Sequence, residues 1–285
     1  MALSARNDQL GHLLEHRKTL VAPGAFDALS AKLIEETGFE VVYIGSYGTS
    51  ASGFGLPDVG LLSLDDLCGY AKRVVDAVKV PVIADAEGGF HDPANIWRTV
   101  RAFEESGVSA IHIEDHAGGK HAEVPQHLIP LDQMLAKLRA AMEARRSPNF
   151  RIIARTDAIW AMGDSNEAAR RVKAFTELGV DMVFPTGAKI DFVKSIRKEQ
   201  APKVVVIETP SSEPFAKAEA ADLVIYYGFC LYAAAKGMLQ ALRSFRKDRD
   251  SSNIKNEFED VLEFEKRFDY QSFAERTKRY SANPE

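Results

Sequence analysis

The chain alternates short, almost continuously apolar runs with longer stretches in which apolar residues recur every three or four positions. Residues 20–25, 40–44, 80–84, 110–113, 151–154, 182–184, 204–207 and 223–225 read as strands. Their lack of polar alternation is what parallel strands covered on both faces require. Residues 26–37, 64–78, 96–105, 131–146, 166–178 and 189–198 read as helices, and 231–247 as one more after the last strand. Each repeat takes about 28 residues, enough for a strand, a crossover helix and two short loops. The pattern predicts an α/β fold, a (β/α)8 TIM barrel. A doubly wound open sheet competes, but it usually has fewer strands and often a Gly-rich turn after the first, where this chain reads Pro23-Gly24-Ala25-Phe26-Asp27.

A polar break, Asp248-Arg249-Asp250-Ser251-Ser252, divides the 285 residues into a predicted barrel over 1–247 and a C-terminal helical extension over 248–285. Residues 254–268 and 270–280 of the extension have helical spacing. Phe258, Val261, Leu262, Phe264 and Phe268 form an apolar stripe that must be buried on the chain's own barrel or on a neighbouring subunit. Composition narrows the function. Thirty-six Lys and Arg against 41 Asp and Glu, a net charge of −5 with no block of like charges, argue against nucleic-acid or anionic-membrane partners. The two cysteines, Cys68 and Cys230, fall on predicted helices and form no CxxC, which excludes a disulfide scaffold and the common zinc and redox patterns. No apolar run reaches the ~18 residues of a membrane span, and the charged N-terminal stretch lacks a signal peptide's apolar segment. A cytoplasmic enzyme is expected.

Barrel active sites lie at the C-terminal ends of the strands, and those ends are rich in carboxylates. Asp85 and Glu87 follow the third strand, two apart and so on one side if the strand persists; Glu114 follows the fourth. Such a set repels itself unless a cation neutralises it, and a hard divalent ion, Mg²⁺ or Mn²⁺, suits all-oxygen ligation. Helix capping and pairing with Arg or Lys are the bland alternatives for each acid. Arg155 after the fifth strand has a fork suited to a substrate carboxylate. The small, hydroxyl-rich Gly45-Ser46-Tyr47-Gly48-Thr49-Ser50-Ala51-Ser52-Gly53 lets backbone amides approach an anion. Residues 117–130 form a polar loop of lid length carrying Lys120, His121, Glu123 and His127, all able to move protons, with His127 read as a solvated loop residue.

The stretches GSYGTSASGFGLPD (45–58), VPVIADAEGGF (80–90), IHIEDHAGGK (111–120) and IIARTDA (152–158), with the opening VAPGAFDALSAKLIEETGF (21–39), resemble the isocitrate lyase / phosphoenolpyruvate mutase superfamily. The resemblance spans nearly the whole barrel in order. It implies an α/β barrel, Mg²⁺ or Mn²⁺, a 2-oxo or 2-hydroxy polycarboxylate substrate, and a dimer of dimers that swaps its last barrel helix. Carried over by position, Asp85, Glu87 and Glu114 are the implied metal shell. Ser46, Tyr47 and Gly48 would hold the substrate's carboxylate and oxo oxygen, with Tyr43 and Asp58 lining the site, Arg155 gripping carboxylate and Lys120 coming from the gating loop.

Three departures matter. Glu87 stands where many relatives have Asp. Lys120-His121-Ala122-Glu123 replaces the lyase branch's K-[KR]-C-G-H, so the Cys proton donor is missing. Phe184-Pro185-Thr186 puts Thr where methylisocitrate-type lyases tend to have Glu. The phosphorus–carbon branch matches no better at the loop, although Ile207-Glu208-Thr209-Pro210 weakly resembles its Pro-Thr element. The expected function is a Mg-dependent carbon–carbon lyase acting through an enolate, by retro-aldol cleavage or decarboxylation, with His121 or Glu123 taking over proton transfer. A P–C bond enzyme of the phosphonopyruvate hydrolase or phosphoenolpyruvate mutase type, and a non-catalytic carboxylate-binding barrel, are the alternatives.

Overall fold

The computed structural model describes residues 3–118, 120–122, 124–200 and 202–281. Eight parallel strands form the frame: β1 Leu20–Ala25, β2 Val42–Ile44, β3 Val82–Asp85, β4 Ala110–Glu114, β5 Arg151–Thr156, β6 Met182–Pro185, β7 Val205–Ile207 and β8 Leu223–Tyr226. They pair in the order β6-β5-β4-β3-β2-β1-β8-β7. A parallel bridge between Val183 and Val204 joins the two ends, so the sheet curls into a barrel. The eight-strand expectation holds, with ends shifted by at most two residues.

The helices are α1 Leu3–His16, α2 Ala28–Glu36, α3 Ser46–Thr49, α4 Leu64–Ala77, α5 Ile96–Ser106, α6 Leu131–Ala144, α7 Ala158–Met162, α8 Ser165–Leu178, α9 Ile190–Gln200 and α10 Phe229–Asp248, then α11 Val261–Glu265 and α12 Tyr270–Tyr280. Their boundaries have local causes. Asp27 and Ser63 each form a capping box with the residue three positions on. Gly107 and Gly179 end α5 and α8 in the left-handed conformation that glycine adopts without a Cβ clash. Between β7 and β8 the chain passes through turns at 210–211 and 215–219 instead of a helix.

The apolar strand runs hide an alternation that the structure separates into two clusters. Ile111, Ile113, Ile152 and Ala154 pack outward against the helices, with Phe103, Phe150 and Phe175. Ile83, Ala110, Ile153, Phe184 and Ile225 point inward and fill the barrel. That inner cluster also contains Leu10, Leu13 and Leu14 of α1, a helix absent from the sequence-based expectation. The helix lies across the N-terminal ends of the strands. Lys203, just before β7, donates to the Leu14 carbonyl at 2.9 Å, and Asn149, just before β5, donates to Asp8 at 2.6 Å. Burying three leucines there closes the end of the barrel opposite the carboxylates.

The chain divides into two compact units, Met1–Leu231 and Tyr232–Glu285. In the second, the helix expected over 254–268 is interrupted. A 3₁₀ turn at Ser252–Glu257 ends in extended backbone at Phe258, and Asp260 restarts the helix by accepting from the amides of Leu262 and Glu263. Phe264 and Phe268 stack at 5.2 Å, whereas Val261, Leu262 and Phe273 are largely exposed.

Truncating Leu10, which is 1 % exposed, removes a side chain from a closed cluster that cannot collapse around the gap. Leu10→Ala is expected to lower unfolding free energy by about 2–5 kcal/mol, read from the urea midpoint at unchanged m value. A loss below ~0.5 kcal/mol would show that α1 does not seal the barrel.

Candidate active site

The inward alternation of β3, β4 and β5 ends in charge. Asp85, Glu114 and Arg155 occupy the last inward positions of these strands, and the ladder makes Asp85 a neighbour of His112 and Glu114 a neighbour of Arg155. The sequence reading put Asp85 and Glu87 on one side on the condition that β3 persisted; the strand ends at Asp85. Glu87 turns back with a left-handed φ of 50°, its N–H donating to Asp85 Oδ1 at 2.7 Å. The turn still brings its carboxylate to the others. One oxygen from each of Asp85, Glu87 and Glu114 lies within 4.8 Å of the other two.

Two cations thread this cluster. Lys120 Nζ lies 2.7 Å from Glu87, 3.3 Å from Glu114 and 3.8 Å from Asp58, with its side chain almost wholly buried. Arg155 donates to both oxygens of Asp157, at 2.8 and 3.1 Å, and reaches Glu114 at 3.0 Å. Asp157 is itself held in place, its amide donating to Asp115 at 3.0 Å, while Asp115 is gripped by Arg171 of α8. The sequence reading singled out Arg155 but not Asp157, although their two-residue spacing at a strand end was its signal.

Burial and mutual repulsion set the protonation. Burial pushes the Glu114 carboxyl up to about 8 despite its two cationic partners. Burial and the Asp85 charge likewise raise Glu87. Burial works against Asp85 too, but His112 where it is protonated, and Lys120 and Arg155 throughout, outweigh it and hold the Asp85 carboxyl below its usual range. Lys120 is raised: burial opposes its charge, and the surrounding carboxylates prevail. Below the cluster, burial lowers His112 to about 4, so it is a neutral imidazole; its Nε2 lies 3.0 Å from the Tyr43 hydroxyl. Tyr43 is raised well above the phenol range, chiefly by burial, and keeps its proton.

Beside the acids, β2 runs into Gly45, where an added Cβ would lie 2.7 Å from the Tyr43 hydroxyl, so only glycine fits. Ser46 then opens α3 and donates to Asp85 Oδ2 at 3.1 Å. Ser46, Tyr47 and Gly48 form the first turn of this short helix. A cavity of about 240 Å³ faces this turn, lined by Tyr43, Gly45, Ser46, Tyr47, Gly48, Asp58, Asp85, Lys120, His121 and Arg155 among others. On the other side of Lys120, Glu87 and Glu114 face a second chamber of about 370 Å³ with His116 and Lys137; Lys120 is the residue lining both.

The structure thus gathers every expected site residue it describes around these two spaces. His121 reaches Asp58 at 3.4 Å with a left-handed φ of 64°, and Glu123 lies outside the described residues. His127 is exposed, as expected, and lines neither cavity. Cys68 sits on α4, where burial pushes its thiol up to about 12. Trp160, Thr186, Gly187, Ile207, Thr209, Ser212 and Tyr227, which complete the first cavity, were not foreseen as site residues.

Comparison with known proteins agrees with the barrel fold. The 2,3-dimethylmalate lyase of Eubacterium barkeri is 34 % identical over 273 residues, covering 90 % of this chain and 94 % of that protein. A phosphoenolpyruvate phosphomutase from Streptomyces platensis subsp. rosaceus superposes with a TM-score of 0.88 at 29 % identity, covering 96 % of this chain and 99 % of that one. A phosphonopyruvate hydrolase in complex with oxalate and Mg²⁺ superposes at 0.85 and 26 % identity, covering 96 % and 99 %. The phosphoenolpyruvate phosphomutase family model matches residues 10–246, and the chain belongs to that family, within the isocitrate lyase / phosphoenolpyruvate mutase superfamily.

Proposed function

We propose that this protein is a magnesium-dependent carbon–carbon lyase that cleaves a 2-oxo or 2-hydroxy dicarboxylate. The observation that carries the reading is the convergence of Asp85, Glu87 and Glu114 beside a cavity that Ser46, Tyr47 and Gly48 also line. Three hard oxygen donors suit Mg²⁺ or Mn²⁺, and the raised Glu87 and Glu114 mark an excess of negative charge that a divalent ion removes. When bound, the ion supplies Lewis-acid stabilisation of charge on the substrate's oxygens.

The chain's own groups do the rest. The amides at 46–48, the Ser46 hydroxyl and Tyr47 hold the substrate carboxylate and its neighbouring oxygen, with Tyr43 and Asp58 shaping the pocket beneath. Arg155, held by Asp157 and Glu114, keeps a second N–H on Nη1 and on Nη2 for a substrate carboxylate. Cleavage of a 2-hydroxy acid turns its C–OH into a carbonyl, the hydroxyl proton passing to a carboxylate of the cluster, and leaves an enolate next to the permanent positive charge of Lys120. The freed carbon then needs a proton. His121, at the cavity wall, delivers it in place of the cysteine found in the lyase branch. The 117–130 loop is the lid in this reading, bringing these groups in and excluding water.

A second reading, P–C bond cleavage of phosphonopyruvate, is favoured by the phosphomutase and phosphonopyruvate hydrolase likenesses, and it would use the same enolate-stabilising groups. We place the enzyme in the cytoplasm as a homo-oligomer, a dimer of dimers, because Leu242, Leu262 and Phe273 expose more than three fifths of their surface and need covering.

A proton-NMR turnover screen with Mg²⁺, with and without chelator, tests the chemistry. Cleavage of an alkylmalate, isocitrate-type or oxaloacetate-type acid is expected; turnover of phosphonopyruvate alone would establish the second reading instead. Asp85→Asn should abolish Mg²⁺ dependence and lower kcat by about 10³ or more, and His121→Ala should lower kcat by about 10²–10⁴ at nearly constant KM. An unchanged kcat in the latter would remove His121 from the chemistry.

The pH dependence follows from the raised carboxyls. A group raised in the folded state binds its proton more tightly there than when unfolded, so without metal its contribution declines as pH rises from about 4.5 towards 8. Mg²⁺ needs these groups ionised. The increase in Tm on adding Mg²⁺ should therefore be larger at about pH 8.5 than at about pH 6, and the opposite order would contradict the assignment.

Light scattering at low micromolar concentration should give a multiple of the 31.4 kDa chain mass; a monomer would refute the oligomer.

A further inference from the structure

The charges around the mouth continue outward into the helix layer. Arg171, on the inner face of α8 with Ala168, Val172 and Phe175, is only 5 % exposed. A buried guanidinium is costly unless its edges find acceptors, and three of its nitrogens do. Nη1 donates to Asp115 Oδ2 at 3.0 Å, Nη2 to the Ile129 carbonyl at 3.0 Å, and Nε to Glu167 Oε1 at 2.7 Å.

Asp115 lies just before the 117–130 loop and Ile129 near its end. The two stems of the loop pair with each other. The Ile129 amide donates to the Asp115 carbonyl and the Ala117 amide to the His127 carbonyl, both at 2.8 Å, with an antiparallel bridge between His116 and Leu128. Arg171 crosses the base of the loop, holding one stem by a carboxylate and the other by a carbonyl. Asp115 also passes the contact inward. Its second oxygen accepts from the Asp157 amide at 3.0 Å, and Asp157 takes Nε and Nη2 of Arg155 at 2.8 and 3.1 Å. Asp115 and Asp157 are fully buried, so water cannot stand in for a lost partner.

We propose that Arg171 is a positioning residue: it staples the two stems of the lid loop and, through Asp115 and Asp157, fixes the guanidinium of Arg155 that faces the substrate carboxylate. The inference rests on the lyase reading for the roles of Arg155 and of the loop. It goes beyond that reading in assigning the residue that ties the two together. The task needs a planar fork whose separate nitrogens reach separate acceptors. A lysine keeps the charge but has one nitrogen in place of three, so it cannot span both stems.

The test uses the Mg²⁺-loaded full chain and compares wild type with Arg171→Lys and with Glu167→Gln, which removes the charge opposite Nε and leaves the staple. Limited trypsin digestion is followed by mass spectrometry at two bonds. One follows Lys120 of the loop, whose side chain is buried; the other follows Lys72 within α4, which only unfolding of that helix exposes. Cleavage reports the population of the opened segment. Arg171→Lys should speed cleavage after Lys120 by about tenfold, the effect of losing a charged hydrogen bond, and change cleavage after Lys72 by less than about twofold. With the acid that the wild type turns over, KM should rise by about tenfold and kcat change by less than about threefold, because grip and closure act on bound substrate and transition state alike. Glu167→Gln should leave all four quantities within about twofold.

Unchanged cleavage after Lys120 would overturn the inference, and so would equal acceleration after Lys72, which marks a general loss of stability. An unchanged KM in an active Arg171→Lys would overturn it while leaving the lyase intact. The digestion needs no substrate, so it decides even where no acid is turned over. Selective cleavage after Lys120 in the variant, with a silent wild type, would overturn the lyase reading and support the staple. Unchanged cleavage with a silent wild type would overturn both.

Discussion

Five carboxylates, those of Asp58, Asp85, Glu87, Glu114 and Asp157, are brought together at one barrel mouth with only Lys120 and Arg155 as permanent cations between them. Fully ionised and dry, such a group would repel strongly, because charge interactions grow as water is removed. Everything about the mouth follows from relieving that repulsion. Arg155, on a strand, makes a fixed two-point contact with Asp157. Lys120, on a loop, serves three acids at once. The remaining excess is carried as raised carboxyls or taken up by a divalent ion.

The barrel is what makes the concentration possible. Parallel strands in register put alternate residues of neighbours side by side, so that Asp85 faces His112 and Glu114 faces Arg155 without any loop having to place them. The same alternation puts Ile83, Ala110 and Ile153 below them as an apolar floor. His112 is the one polar interruption of that floor, and its neutrality keeps a further charge out of the dry interior.

How much of this the amino-acid sequence carries depends on how local the signal is. The strands are legible because each is an apolar run, and the acids because they stand directly at strand ends. Helix α1 was not read, since its three buried leucines close a stretch that is otherwise polar. Its role depends on contacts with residues near 149 and 203, far along the chain. Short α7 was not read either, and so Trp160 went unnoticed. Glu87 was placed on the right side for the wrong reason: a left-handed turn, not strand persistence, returns its carboxylate. The far side of the first cavity escaped altogether, because Trp160, Gly187, Thr209 and Tyr227 follow four different strands and no single stretch announces them. The position of Lys120 follows from the family resemblance, and its triple pairing is visible only in three dimensions.

Helix α1 lies on the closed end of the barrel, the face farthest from the acids. Anything fused ahead of it therefore emerges away from the cavity. A purification handle, a fluorophore or a surface tether attached there leaves the route to the mouth clear, and immobilised enzyme oriented through that end would present its mouth to the flowing solution.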